Sequence, residues 1–160
     1  VDHVNLFVGQ KTLDDMDWSP VDAQIEFGID SDYKIENLPF NLSLSFLTSS
    51  DDATYFGVDV SGETSELRVG LRQYGDFSTN SSHYFYGAGL AFVSGEFSVG
   101  SVSDDDSTLG LFGEVGAQYK FNNNFHIGAK LDYSIATVEF FDFEGAGGGL
   151  HLGVFTGYSF

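Results

Sequence analysis

The stretch Gly148 to Phe160 reads GGLHLGVFTGYSF. From Leu150 the even positions are Leu150, Leu152, Val154, Thr156, Tyr158 and Phe160, and the odd ones are His151, Gly153, Phe155, Gly157 and Ser159. A side-chain period of two describes a β-strand, here with one nearly apolar face and one of polar and small residues. The stretch closes on Phe160, with Tyr158 two positions earlier on the same face. A sheet in water has little reason to end its apolar face on an exposed aromatic residue. A strand whose outer face meets lipid, with aromatics at the water interface, does.

The same rhythm recurs along the chain. Val4, Leu6 and Val8 alternate with Asn5, Phe7 and Gly9, and the second strand sets Val21, Ala23, Ile25, Phe27 and Ile29 against Asp22, Gln24, Glu26, Gly28 and Asp30. Phe40 to Phe46 forms a third, and Thr64 to Gln73 a fourth with Leu67, Val69 and Leu71 against Glu66, Arg68 and Arg72. A fifth strand follows Tyr84, its other face small with Gly87, Gly89 and Ala91. Two more run from Leu109 to Phe121 and from Phe125 to Ile135, separated by Asn122 to Asn124, where Asn suits a tight turn. Tyr55 to Ser61 also alternates, but single-chain bacterial membrane barrels have even strand numbers. It reads as hairpin standing above a membrane. The expectation is one domain over residues 1–160, an all-β, eight-stranded, antiparallel up-and-down transmembrane β-barrel.

Composition removes several other classes, and a soluble acidic β-barrel or sandwich stays as the rival reading. No apolar run approaches the roughly 18 residues of a membrane helix, and mean hydropathy is -0.05. Cys is absent, which removes disulfides and thiolate metal sites. A net charge of -18 with only 6 Lys+Arg argues against nucleic acid. Val1 leads almost directly into a strand pattern, as in a mature, processed chain.

The apolar faces carry Phe40, Tyr84, Tyr119, Phe121, Phe125, Tyr158 and Phe160 near strand ends, all at one end if directions alternate. Aromatics at a common depth suit an interfacial belt rather than a sandwich core. The segments Thr12–Pro20, Thr48–Glu63, Val99–Ser107 and Phe141–Gly147 then form loops at the opposite, outer end. Ser31–Pro39 and Tyr74–Ser82 read as inner connections longer than usual.

The terminal Phe160 after alternating apolar residues resembles the closing strand of bacterial outer-membrane β-barrels, where that pattern is the assembly signal. Along its whole length the chain is similar to small barrels of the OmpA, OmpX and OmpW kind. The resemblance implies an integral outer-membrane location, contact with lipid and lipopolysaccharide, recognition of Tyr158 and Phe160 by the barrel assembly machinery, and no cofactor.

Lys11, Arg68, Arg72, Lys120 and Lys130 lie on the polar faces by alternation. Counting from strand ends places Glu26, Arg68, Glu114, Lys130 and Asp132 at similar mid-barrel depth. An eight-stranded barrel is just wide enough for side chains to fill, and an unpaired buried charge is costly. An interior ion-pair network with Arg68 against Glu26 or Glu114 is therefore expected, with a gate or narrow ion path as the other reading. Glu114 with Asp132 suggests acid–base work only weakly, since nothing marks a cleft. Outer-membrane lipid A deacylases carry a closely spaced His and Ser toward lipid, whereas His126 and His151 here fall on the interior face. No Ser–His–acid set and no metal site from the four scattered histidines is expected.

Asp14, Asp15, Asp17, Asp51, Asp52, Asp104, Asp105 and Asp106 fall in the outer loops. Carboxylates suit Ca²⁺ or Mg²⁺, but the spacing is not that of an EF-hand, and a solvated rim is the plainer account. Trp18, Tyr55, Phe56, Phe141 and Phe143 lie in the same loops, to bind a partner, line an opening or pack the loops together. The leading expectation is a non-enzymatic surface-interaction or structural protein working through acidic outer loops that meet divalent cations or another surface protein. The alternative is a narrow conduit for small or hydrophobic solutes.

Overall fold

The computed structural model describes residues 2–77, 81–121 and 123–160. Eight antiparallel strands close on themselves: β1 (His3–Thr12), β2 (Ala23–Lys34), β3 (Asn41–Tyr55), β4 (Val58–Asp76), β5 (Ser82–Val99), β6 (Val102–Lys120), β7 (Phe125–Ile135) and β10 (Leu150–Ser159). Each pairs with its sequence neighbour, and β10 joins β1 in the register His3↔Ser159 to Thr12↔Leu150. A small hairpin, β8 (Thr137–Phe140) with β9 (Phe143–Ala146), interrupts the last connection. A single helical turn, α1 (Asp15–Trp18), lies between β1 and β2, with the Asp14 carboxylate accepting from Met16 N–H at 2.9 Å. No helix among the described residues is long and apolar enough to cross a membrane.

Closure leaves no unpaired edge, which is what lets strands cross a bilayer. The apolar face points out. Cross-strand rows such as Leu67, Phe92 and Leu109, or Val69, Leu90 and Leu111, are exposed on the outer wall. At the end holding both termini, Tyr84, Tyr119, Phe121, Phe125, Tyr158 and Phe160 are exposed as a belt. Tyr158 stacks edge-on against Phe125 and Phe160, with centroids 5.3 and 5.1 Å apart.

The inward face mixes polar groups with a few large rings. Phe7, Leu47, Phe85 and Phe155 meet across the lumen, and glycine makes room for them: a Cβ at Gly116 or Gly128 would strike the Phe85 or Phe155 ring. The small face of β5 is filled likewise, by Phe112 against Gly89 and by Glu114 against Gly87.

The hairpin expected at Tyr55 to Ser61 is present, but the segments expected as outer loops around it and at Val99–Ser107 are largely strand. β3 and β4 pair without interruption to Tyr55↔Val58, so Thr48–Glu63 is one hairpin closed by Phe56 and Gly57. β5 and β6 pair to Val99↔Val102, so Asp104, Asp105 and Asp106 are ladder residues. Aspartate is depleted in strands because its side chain competes for backbone hydrogen bonds, but a hairpin bathed in water on one face tolerates it. Strands of 19, 18 and 19 residues are roughly twice the 9–11 that a tilted membrane crossing takes. The excess stands beyond the lipid. At the other end β2 runs on to Lys34 and β4 to Asp76, so the connections there are shorter than the sequence suggested. Residues 78–80 and 122, parts of two expected turns, lie outside the described residues. Long hairpins at one end and short turns at the other mark the hairpin end as the outer one.

Candidate functional site

The lumen holds two groups of charges. In the outer half, Lys11 Nζ donates to Glu66 Oε1 at 2.7 Å and to Thr64 Oγ1 at 2.9 Å. Arg68 spans Glu66 Oε2 through Nε at 2.7 Å and Asp132 Oδ1 through Nη1 at 2.6 Å. In the inner half, Arg72 forks onto Glu114 at 2.7 and 2.9 Å and reaches Asp30 and Asp32 at 3.1 Å. Tyr74 donates to Asp32, and Asn5 to Asp30 at 2.7 Å. Lys130 Nζ lies between the groups, 3.5 Å from Asp132 and 3.9 Å from Asp30, over the Phe7 ring at 4.6 Å. Lys11, Arg68, Arg72 and Lys130 are all buried.

The expected pairing of Arg68 is corrected. Its partners are Glu66 and Asp132, while Glu114 belongs to Arg72 and Glu26 to His151. Glu26, Arg68, Glu114, Lys130 and Asp132 do not share one level, because tilted, staggered strands convert equal counts from their ends into different depths. Glu66, Arg72, Asp30 and Asp32 complete the network, and their inward parity was their only sequence signal. Six lumen carboxylates, Glu26, Asp30, Asp32, Glu66, Glu114 and Asp132, face four lumen cations.

A Ser–His–carboxylate set does come together, contrary to expectation. Ser134 Oγ lies 3.0 Å from His151 Nε2, and His151 Nδ1 lies 2.6 Å from Glu26 Oε2. Arg68 Nη2 is 2.9 Å from the same Nε2. With Nε2 accepting from Arg68, the imidazole proton sits on Nδ1 and is donated to Glu26. Ser134 Oγ is also 2.9 Å from Glu66 Oε1. All four side chains are buried, and Arg68 occupies the imidazole lone pair. Nor are the histidines fully scattered, since His3 and His126 stack edge-on at 5.5 Å near the inner end. Among the described residues no group of three or more His, Cys, Asp or Glu is placed to hold a metal ion.

Over the outer mouth, Trp18 is 1% exposed and packs with Leu13, Val21, Val60 and Val138. Its ring meets Phe97 and Phe140 edge-on at 5.9 and 5.4 Å, and Nε1 donates to the Ala146 carbonyl at 2.7 Å. Trp18 is thus a plug and not a partner contact, because α1 folds it inward. Several outer aspartates are likewise committed. Asp17 accepts from Ala146 N–H at 2.9 Å, Asp104 from Phe141 N–H at 2.6 Å and Asp106 from Glu139 N–H at 2.8 Å, clasping the β8–β9 hairpin to the barrel. Asp15, Asp52 and Asp105 are exposed and Asp51 is half-buried. Glu63, Glu96 and Asp105 stand directly opposite one another across β4, β5 and β6, a like-charge row that is destabilising by itself.

A family model for the outer membrane protein beta-barrel domain matches residues 3–160. The chain belongs to this outer-membrane β-barrel family. Its location is accordingly integral to the outer membrane, with the apolar wall in lipid. Neisserial surface protein A is similar in fold at a TM-score of 0.70 and 11% identity, over 99% of this chain and 95% of that one. Ail of Yersinia pestis gives 0.62 and 16%, over 98% and 97%. The N-terminal barrel domain of Pseudomonas aeruginosa OprF gives 0.57 and 16%, over 98% of both. At such identities the likeness is one of fold. No curated protein matches the chain in sequence.

Proposed function

We propose that this family member is a non-enzymatic barrel whose closed lumen is structural and whose outer hairpins are its working surface. One observation carries the reading: the placement of charge. Of 24 Asp and Glu, fifteen lie in the outer hairpins and loops, whereas all 6 Lys and Arg lie in the lumen or, as Lys34 and Lys120, at the inner end. The outer surface is thus uniformly acidic, which selects partners by sign and steers their encounter. Ail has been solved with the heparin analogue sucrose octasulfate, but a polyanion would find no Lys or Arg in the outer hairpins here. The proposed partners are lipopolysaccharide with its divalent cations, a basic surface protein, and the barrel assembly machinery at Tyr158 and Phe160.

A narrow conduit is the second reading. Glu26 Oε1, Asp32 Oδ1, Asp132 Oδ2 and Lys130 Nζ are buried without protein hydrogen-bond partners, and buried polar atoms of this kind are commonly met by internal water. The excess of lumen carboxylates would make such a path select cations. Planar-bilayer recording of the purified barrel separates the two. The surface reading expects a silent barrel. Reproducible steps that change when Lys130→Gln alters the lumen charge would replace it with transport.

A further inference from the structure

Among the described residues, the outer end carries a cleft with both an aromatic wall and charge. It has a volume of about 330 Å³ and opens between α1 and the β8–β9 hairpin, lined by Met16, Asp17, Phe97, Phe140, Phe141 and Glu144. Phe97 and Phe140 lie at 6.3 Å with an interplanar angle of 38°, and Trp18 packs edge-on beneath both. Met16 is 88% exposed, so the apolar rim is open.

The backbone places a third ring at the cleft. Phe141 sits at φ 48° and Asp142 at φ 67°, in the two-residue turn that joins β8 to β9. Turns with two left-handed residues favour Asn, Asp or Gly, and a bulky aromatic residue there is an outlier. Phe56 carries the same strain, so strain marks no site by itself. Here it holds an exposed ring at the cleft mouth. Nearby, Glu139 and Glu144 face each other directly across the hairpin, a like-charge pair with no Lys or Arg in the outer hairpins to offset it.

We infer that this cleft seats a basic side chain, an Arg on its apolar stem, presented by a protein partner. The rings would meet the guanidinium by cation–π contact, Met16 would cover the stem, and Glu144 with Asp17 would supply the counter-charge. A neutral apolar group would leave the carboxylates uncompensated, and an anionic group would be repelled. The inference rests on the surface-interaction reading and names the partner's chemistry.

Trp18 is the chain's single Trp and touches the cleft floor, so its emission reports occupancy. The detergent-folded barrel would be titrated at low salt with acetyl-Gly-Arg-Gly-amide, with the uncharged citrulline twin and with choline. The expected result is a saturable change with the Arg peptide alone. Phe141→Asn, which suits the left-handed turn while removing the ring, and Glu144→Gln should each weaken it about tenfold. Phe56→Asn, at the tip of the β3–β4 hairpin, should leave it unchanged. No saturable change, an equal response to the citrulline peptide, or indifference to Phe141→Asn would overturn the site. Tighter binding of choline than of the peptide would overturn the protein partner. A barrel silent in bilayers that fails to bind the peptide would remove this site alone, while a conducting one would remove the parent reading.

Discussion

At the scale of single residues, geometry separates lumen charges that look alike in sequence. Arg68 makes close hydrogen bonds to two buried carboxylates and to His151. Arg68→Ala leaves Glu66 and Asp132 short of their main counter-charge, a loss of about 3–5 kcal/mol. Urea unfolding in lipid vesicles should show a markedly lower midpoint. Lys130 makes no hydrogen bond and sits at 3.5 and 3.9 Å from its carboxylates, over an aromatic face. Lys130→Met keeps the packing and loses only these longer contacts, so its midpoint should fall by less than that of Arg68→Ala. The reverse order would mean that the centre of the network is misplaced. Phe56 is 91% exposed at φ 49°. Asn tolerates that backbone, so Phe56→Asn should raise stability by about 1 kcal/mol, read as a higher midpoint in the same assay.

Among the elements, the β8–β9 hairpin is held by acceptors that read as a free acidic rim in sequence. Asp104 and Asp106 take backbone N–H groups from Phe141 and Glu139. The double change Asp104→Ala with Asp106→Ala should release the hairpin, giving faster proteolytic cleavage near Phe141 while the barrel still shifts on boiling in detergent electrophoresis. Unchanged cleavage would assign the hold to Trp18 packing instead. Strand faces were legible because a period of two is local: inward Phe7, Glu26, Arg68 and His151 follow from parity alone. Strand ends and partners were not. The Asp104–Asp106 run masks continuing ladder, since strand depletion of Asp reflects an average site rather than a hairpin in water. Which carboxylate meets Arg68 depends on stagger between strands far apart in sequence. Ser134, His151 and Glu26 converge for the same reason, across β7, β10 and β2.

For the whole molecule, three environments have sorted the side chains: lipid takes the apolar rows, the lumen takes four of the six basic residues with six carboxylates, and water at the outer end takes fifteen more carboxylates. The barrel is closed and presents its long hairpins to the outside. The chain has no Cys, so single thiols can be placed at will. Phe56→Cys marks the outer hairpin tip, Ser134→Cys the lumen and Glu36→Cys an inner turn. Labelling of intact cells with a membrane-impermeant maleimide should modify the thiol at 56 and spare those at 134 and 36. Rapid labelling at 134 would mean an open lumen, and labelling at 36 in place of 56 would mean the opposite orientation; either result contradicts the account.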